Sequence, residues 1–260
     1  MRPFHKQTGF TLIELIIVIV ILGLLGVLGA NFISKSFESF RASESRAQIY
    51  EEGKIALVRM ELEIHNAVPN AFNPAAAADL RFAVIDEMTM AAATNIFGVY
   101  QEDPPTSTLT DVSGGFLPVN SIISIYNRNW TDLTTGGGNQ RLYAIVAPAG
   151  SPMTLSKNVT PPRSSPQKRY YAVDRTVRYF LNGNILMRSQ SPINSGNLNT
   201  IENNLVGATP YPLCNNVVNL QFNYTPGTAI RNAVVSIAFT LARDGETINF
   251  HKEVMVRNVP

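Results

Sequence analysis

The chain has 260 residues, enough for one large domain or two small ones, and only 15% of them are charged. A net charge of +2 gives no electrostatic footprint for nucleic acid, and a single cysteine, Cys214, excludes an internal disulfide, a cysteine-rich metal site and a CxxC redox motif. Three histidines leave little material for metal or triad chemistry.

The N-terminus is the informative part. From Phe10 to Ile33 the sequence reads FTLIELIIVIVILGLLGVLGANFI, with Glu14 as its one charge. As a helix it covers about 36 Å, enough to cross a hydrocarbon core of roughly 30 Å. Arg2 and Lys6 precede it, so the positive-inside tendency keeps the short N-terminus cytoplasmic and exports the chain beyond Ile33. A secretory signal peptide ending at Leu28-Gly29-Ala30 is one reading, but the apolar run is too long for it and contains a carboxylate. A plain anchor explains the length and not Glu14. A carboxylate within an apolar span costs about 2.5–3.5 kcal/mol, less near an interface, so it calls for a compensating partner.

Gly9-Phe10-Thr11-Leu12-Ile13-Glu14, behind a basic leader and ahead of the apolar run, closely resembles the processing site of type IV prepilins and type II secretion pseudopilins. That resemblance implies cleavage between Gly9 and Phe10 by a membrane prepilin peptidase, which then methylates the new amine of Phe10. It also implies that Glu14 pairs with the amine of a neighbouring subunit in the filament, so that two buried charges neutralise each other. Subunits that retain this glutamate can sit above another subunit. Gly23, Gly26 and Gly29 recur every third residue, which suits either close helix packing or a stretch that softens when the subunit leaves the bilayer.

No strong helix stop occurs between Ile33 and Ala67, so one helix is expected from Phe10 to Asn66. At 100° per residue, Ile33, Phe37, Phe40, Ala47, Ile55, Val58 and Leu62 form one stripe, interrupted by Glu44 and Glu51; Ile49, Ala56, Leu57, Met60 and Ile64 form a second, roughly opposite. Two apolar faces on one helix suggest that one packs on its own domain and the other on a neighbour. The alternative is a helix buried within a larger fold.

Beyond Pro69 the period becomes alternating. Strands are expected at Leu80–Ile85, Ile96–Tyr100, Ser121–Tyr126, Leu142–Ala147, Tyr170–Val173, Thr176–Leu181, Ile185–Ser189, Val217–Tyr224, Ala233–Ala242 and Thr247–Val256. Asn182-Gly183 and Asp244-Gly245 are the expected hairpin turns. Asp103–Gly115, Thr131–Asn139 and Pro148–Gln167 read as loops, and Ala75–Ala78 as a short helical extension or connector. Tyr170-Tyr171, flanked by Lys168 and Arg169, offers either an exposed aromatic-basic patch or cross-strand packing.

The fold class is therefore α+β, a long N-terminal helix packed on an antiparallel β-sheet head. The expected divisions are a leader at 1–9, a transmembrane half-helix at 10–33, an amphipathic half at 34–66 and a β-rich periplasmic head at 67–260. Within the pilin class, LVRMELEIHNAVP (Leu57–Pro69) and the VRYFLNGNILMR hairpin resemble the PilW and J-type pseudopilin group. CNNVVNLQFNYTPGTAIRN (Cys214–Asn232) and the ending EVMVRNVP are similar to minor pilins of mannose-sensitive haemagglutinin (MSHA) pilus systems. The resemblance implies a structural subunit of the inner membrane and then of the pilus surface. Its partners would be the peptidase/methyltransferase, other major and minor pilins, and the assembly platform. A J-type pseudopilin shares every feature up to Pro69, and a membrane-anchored binding or adhesion module is the further alternative. No residue pattern calls for a catalytic site, a metal or a cofactor: His65 and His251 lack a supporting nucleophile motif, and Cys214 reads as a small buried hydrophobe.

Overall fold

The computed structural model describes residues 11–86, 97–114, 117–147, 152–160, 164–228 and 231–256. The expected cleavage point at Gly9 and Phe10 lies outside these residues, as do Ile96, Glu87 and parts of the expected loops at 103–115 and 148–167. The chain is α+β. One continuous helix, α1 (Leu12–His65), is followed by strands β1 (Ala67–Ala76), β2 (Asp79–Ile85), β3 (Gly98–Val99), β4 (Thr106–Leu109) and β5 (Ile122–Ser124). A short helix α2 (Trp130–Thr134) leads to β6 (Leu142–Ala144), β7 (Met153–Val159), β8 (Arg169–Asn182) and β9 (Ile185–Pro192). Then come α3 (Ile201–Gly207), β10 (Tyr211–Cys214), β11 (Val217–Thr225), β12 (Val234–Arg243) and β13 (Glu246–Met255). All the strand pairs are antiparallel.

β8 is the spine. Its C-terminal half lies between β2 and β9, while its N-terminal half carries β5 and β3. The two halves serve two separate hydrophobic cores: Val177 and Tyr179 in one, Tyr170, Tyr171, Ala172 and Val173 in the other. The sequence divides this strand in two because Asp174-Arg175 interrupts the apolar pattern. In the fold that charged pair bridges to itself where the strand passes from one core to the next. Every apolar residue that α1 buries, Ile49, Ala56, Met60 and Ile64, enters the first core together with β11, β12 and β13.

Several expectations need correcting. Residues 75–76 belong to β1, not to a helical extension; Pro69 and Pro74 are tolerated because β1 is a sheet edge with irregular register. The supposed loops at 103–115 and 148–167 contain β4 and β7, which pair with each other. The one at 131–139 holds most of α2 and a turn of 3-10 helix at Gly137–Asn139. Asn182 pairs with Ile185, so the first hairpin loop is Gly183-Asn184, with φ of +61° at Gly183. The second turn falls at Asp244-Gly245 as expected, with φ of +51° and +84°.

At Gly53 the helix lies directly against the head. A Cβ placed there would lie 2.3 Å from Phe250 Cζ and 3.0 Å from Leu241 Cδ1. Phe250 in turn stacks on Phe239, with ring centroids 4.8 Å apart. Glycine in a helix interior ordinarily costs about 0.5–1 kcal/mol relative to alanine, and here the close approach of β13 reverses that preference. Gly53→Ala should therefore lower the thermal midpoint of the head, whereas Gly53→Ala combined with Phe250→Leu should recover most of the loss; calorimetry or circular dichroism melting of both variants checks it.

Candidate assembly site

Helix α1 starts in a capping box. The Thr11 backbone N–H and hydroxyl both donate to Glu14 Oε2, at 3.1 and 3.0 Å, and Glu14 N–H donates to Thr11 Oγ1 at 3.3 Å. In the single subunit, then, the carboxylate turns back on its own helix terminus, where the orphan N–H groups favour an acceptor and a negative charge. The helix runs unbroken through Gly23, Gly26 and Gly29, and a Cβ at any of the three would meet nothing within 4 Å. The apolar segment is long enough to cross a membrane and is wholly unburied within the chain.

The first buried helix residue is Ser45, so roughly the first 50 Å of α1 stands clear of the core. From there the two stripes separate. Ile49, Ala56, Met60 and Ile64 are fully buried against the head, with Leu57 partly covered. On the other stripe Phe37, Phe40, Ile55 and Leu62 are 64, 67, 65 and 57% exposed. Ile33 and Val58 are exposed with them. A helix buried within a larger fold is thereby overturned: one face is docked and the other is bare. This bare stripe continues the apolar span, interrupted by the exposed Glu44 and Glu51, and makes a long exposed, largely apolar surface.

Polar side chains fix the rotation of α1 on the head. Near its start on the head, Ser45 Oγ donates to Asp244 Oδ2 at 3.1 Å. Midway, Glu52 Oε1 accepts from Asn215 N–H at 2.7 Å. In the last turn and a half Glu63 is buried, and no pattern in the sequence announces it. Arg188 Nη2 and Nε donate to its two oxygens at 2.6 and 2.9 Å, and the Tyr179 hydroxyl donates at 2.5 Å. Arg59 adds a partner one turn back, at 3.0 Å. Burial pushes the Glu63 pKa upward, but the bonds from Arg188 and Tyr179 and the two guanidinium charges outweigh it, and the carboxyl is held below its ordinary range. The same surroundings push the Tyr179 hydroxyl well above its ordinary value.

The remaining candidates fall into structural places. Tyr170 and Tyr171 are buried in the second core, so the aromatic-basic patch does not exist; Arg169 stacks on Phe97 and Lys168 pairs with Asp103 at 2.8 Å. His65 Nδ1 lies 2.9 Å from the Met255 carbonyl, and Nε2 of His251, on the edge strand β13, lies 3.2 Å from Ser236 Oγ on β12. Cys214 is buried, and burial with nearby Glu52 pushes its thiol up to about 12. Among the described residues, no group of three or more His, Cys, Asp or Glu side chains is placed to hold a metal ion.

Residues 4–30 match the prokaryotic N-terminal methylation motif. This is the type IV pilin-type prepilin signal. It indicates a pilin- or pseudopilin-like substrate of prepilin peptidase. The apolar helix behind the motif is consistent with membrane anchoring. No curated protein and no solved structure matches the chain.

A depressed carboxyl pKa contributes stability that is present above the unfolded value, near 4.5, and is lost as pH falls through the folded one. The head should therefore loosen on acidification below about pH 4.5, and Glu63→Gln should flatten that part of the stability–pH curve. Arg188→Ala, which strands a buried carboxylate, should cost about 3–5 kcal/mol at pH 7 by denaturant titration.

Proposed function

We propose that the chain is a minor-pilin-like structural subunit of the MshO type, which initiates, caps or decorates an MSHA-type type IV pilus. The observation that carries an assembly role is the bare apolar stripe of α1. Ile33, Phe37, Phe40, Ile55, Val58 and Leu62 are too many and too exposed for a helix whose only task is to hold its own head. Docking this stripe against the helices of other subunits buries it. The MSHA assignment rests on the likeness of Cys214–Asn232 and the C-terminal ending to that group.

In this reading residues 1–9 are removed as a leader and Phe10 becomes the N-methylated terminus. Residues 10–33 span the inner membrane with the N-terminus cytoplasmic, residues 34–66 continue the helix, and residues 67–260 form the periplasmic head, carried later to the cell surface. Glu14 changes partner on assembly: the Thr11 cap holds its carboxylate in the free subunit, and the amine of an adjacent subunit takes it over in the fibre. Full charge neutralisation is worth more than a neutral cap in a low-dielectric setting, so the exchange sets axial register. Gly23, Gly26 and Gly29 leave that part of the helix free of side-chain bulk, which suits close packing in the bundle.

Mass spectrometry of the mature N-terminus tests the cut site: N-methyl-Phe10 is expected, and Gly9→Ala should leave the chain uncut. Glu14→Ala should insert into the membrane at least as well as the parent chain, while its recovery in sheared fibres falls by about tenfold or more, the equivalent of about 1.4 kcal/mol of lost subunit contact. Equal recovery of the mutant and the parent would contradict the charge exchange.

A further inference from the structure

The sheet β11-β12-β13 has two edges, and they are finished differently. Along β11 a bulge between Val217 and Asn219 breaks the register. Main-chain bonds from Val217 N–H to Asn184 O (2.9 Å) and from Phe222 N–H to Ala77 O (2.7 Å) tie that strand to the larger sheet. Among the described residues, nothing comparable finishes β13. Its ten residues pair with β12 in unbroken register from Glu246 to Met255, and none is proline.

The direction of the free groups is set by the ladder. Val256 N–H donates inward to Ala233 O at 2.9 Å, so by antiparallel alternation the main-chain groups of Thr247, Asn249, His251, Glu253 and Met255 point outward. The Met255 carbonyl agrees, since it faces away from β12 to His65. Among the described residues, the remaining outward groups have no main-chain partner. Proteins usually blunt such an edge with a bulge, a proline or an outward lysine. The one lysine of β13, Lys252, is instead turned onto α1, 3.0 Å from Glu61.

Helix α1 overhangs this same edge. Ser43, Arg46, Ala47 and Tyr50 on the helix, with Thr247, Ile248 and Asn249 on the strand, wall a groove of about 650 Å³. The Tyr50 ring is stacked on Phe250, 6.2 Å between centroids, yet half of it remains exposed. An extended segment laid along β13 would satisfy the outward main-chain ladder and cover Tyr50 and Ala47 with its helix-facing side chains. We propose that the β13 edge accepts an extended strand from the head of a neighbouring, non-identical subunit, an inference that rests on the assembly role above. Pairing of β13 with the β13 of a second copy does not fit, because that two-fold antiparallel contact reverses α1, whereas subunits drawn from one bilayer carry their helices in the same direction; a subunit that initiates, caps or decorates a fibre has other kinds of subunit beside it. A neighbour that docks on the bare stripe of α1 reaches this groove directly, since Ala47 belongs to both.

The test uses the full-length protein in cells that assemble it, with a photo-crosslinking amino acid at Thr247 in one strain and at Ile55 in another. Crosslinks from Thr247 are expected to a second kind of subunit, mapping to an extended segment of its head. Asn249→Pro removes one outward N–H and the bond from the Thr240 hydroxyl to Asn249 Oδ1 while leaving the main-chain ladder to β12 in place, and should lower the Thr247 adduct about tenfold while leaving the Ile55 adducts unchanged. Glu253→Pro provides a second block of the same edge should Asn249→Pro unfold the head. Ile55 adducts to other subunits, with Thr247 adducts absent, made only to lipid or to a copy of this chain, or indifferent to both prolines, would overturn the strand-acceptor proposal and leave the assembly role standing. Loss of subunit adducts at both positions would overturn the assembly role as well.

Discussion

Glu63, gripped by Arg188 and the Tyr179 hydroxyl, pins the end of α1 to the β8–β9 hairpin, and the rest of the architecture depends on the rotation it enforces. A buried ion pair adds little net stability over a hydrophobic substitute, but breaking one is costly, so it selects a single arrangement. With Glu63 turned inward, Met60, Ala56, Gly53 and Ile49 face the head, while Ile55, Val58 and Leu62 have no surface of their own chain to cover them. Gly53 against Phe250 sets how closely the helix approaches, and Ser45 with Asp244 marks where it leaves. The clamp thus decides which face of a helix with two apolar faces is available to other molecules.

The division into two cores separates two tasks. All the apolar docking of α1 falls in the core formed with β11, β12 and β13, whereas β3, β5, β6, β7, α2 and α3 surround the other core on the far half of β8. Arginines tie this second region together: the buried Arg141 pairs with Asp132 at 3.0 Å, and the half-buried Arg81 joins Asp79 to Glu202, which also accepts from Trp130 Nε1.

The parts of the fold that were legible in the sequence are those in which one physical signal dominates. A long apolar run with a continuous 3.6-residue period marked α1, and clean alternation around Asp244-Gly245 marked β12 and β13. Where two signals compete, the sequence misleads. Prolines and alanines hide β1, which only an edge position makes possible; threonine and serine disguise β4; a charged pair splits β8. The tyrosines 170 and 171 look like a surface patch because their basic neighbours are adjacent in sequence, and only the second core reveals that both rings point inward.

By itself, the sequence determined the chemistry of the N-terminus. The prepilin-type motif at residues 4–30, the lone carboxylate of Glu14 and the apolar span are local features, independent of how the head folds. Both apolar stripes of α1 were visible as well. Which of them is docked and which is bare was decided only by the tertiary structure, because the answer lies in Arg188 and Phe250, residues 125 and 197 positions away from Glu63 and Gly53. Periodicity fixes which side chains share a face; the partner that covers the face belongs to distant parts of the chain.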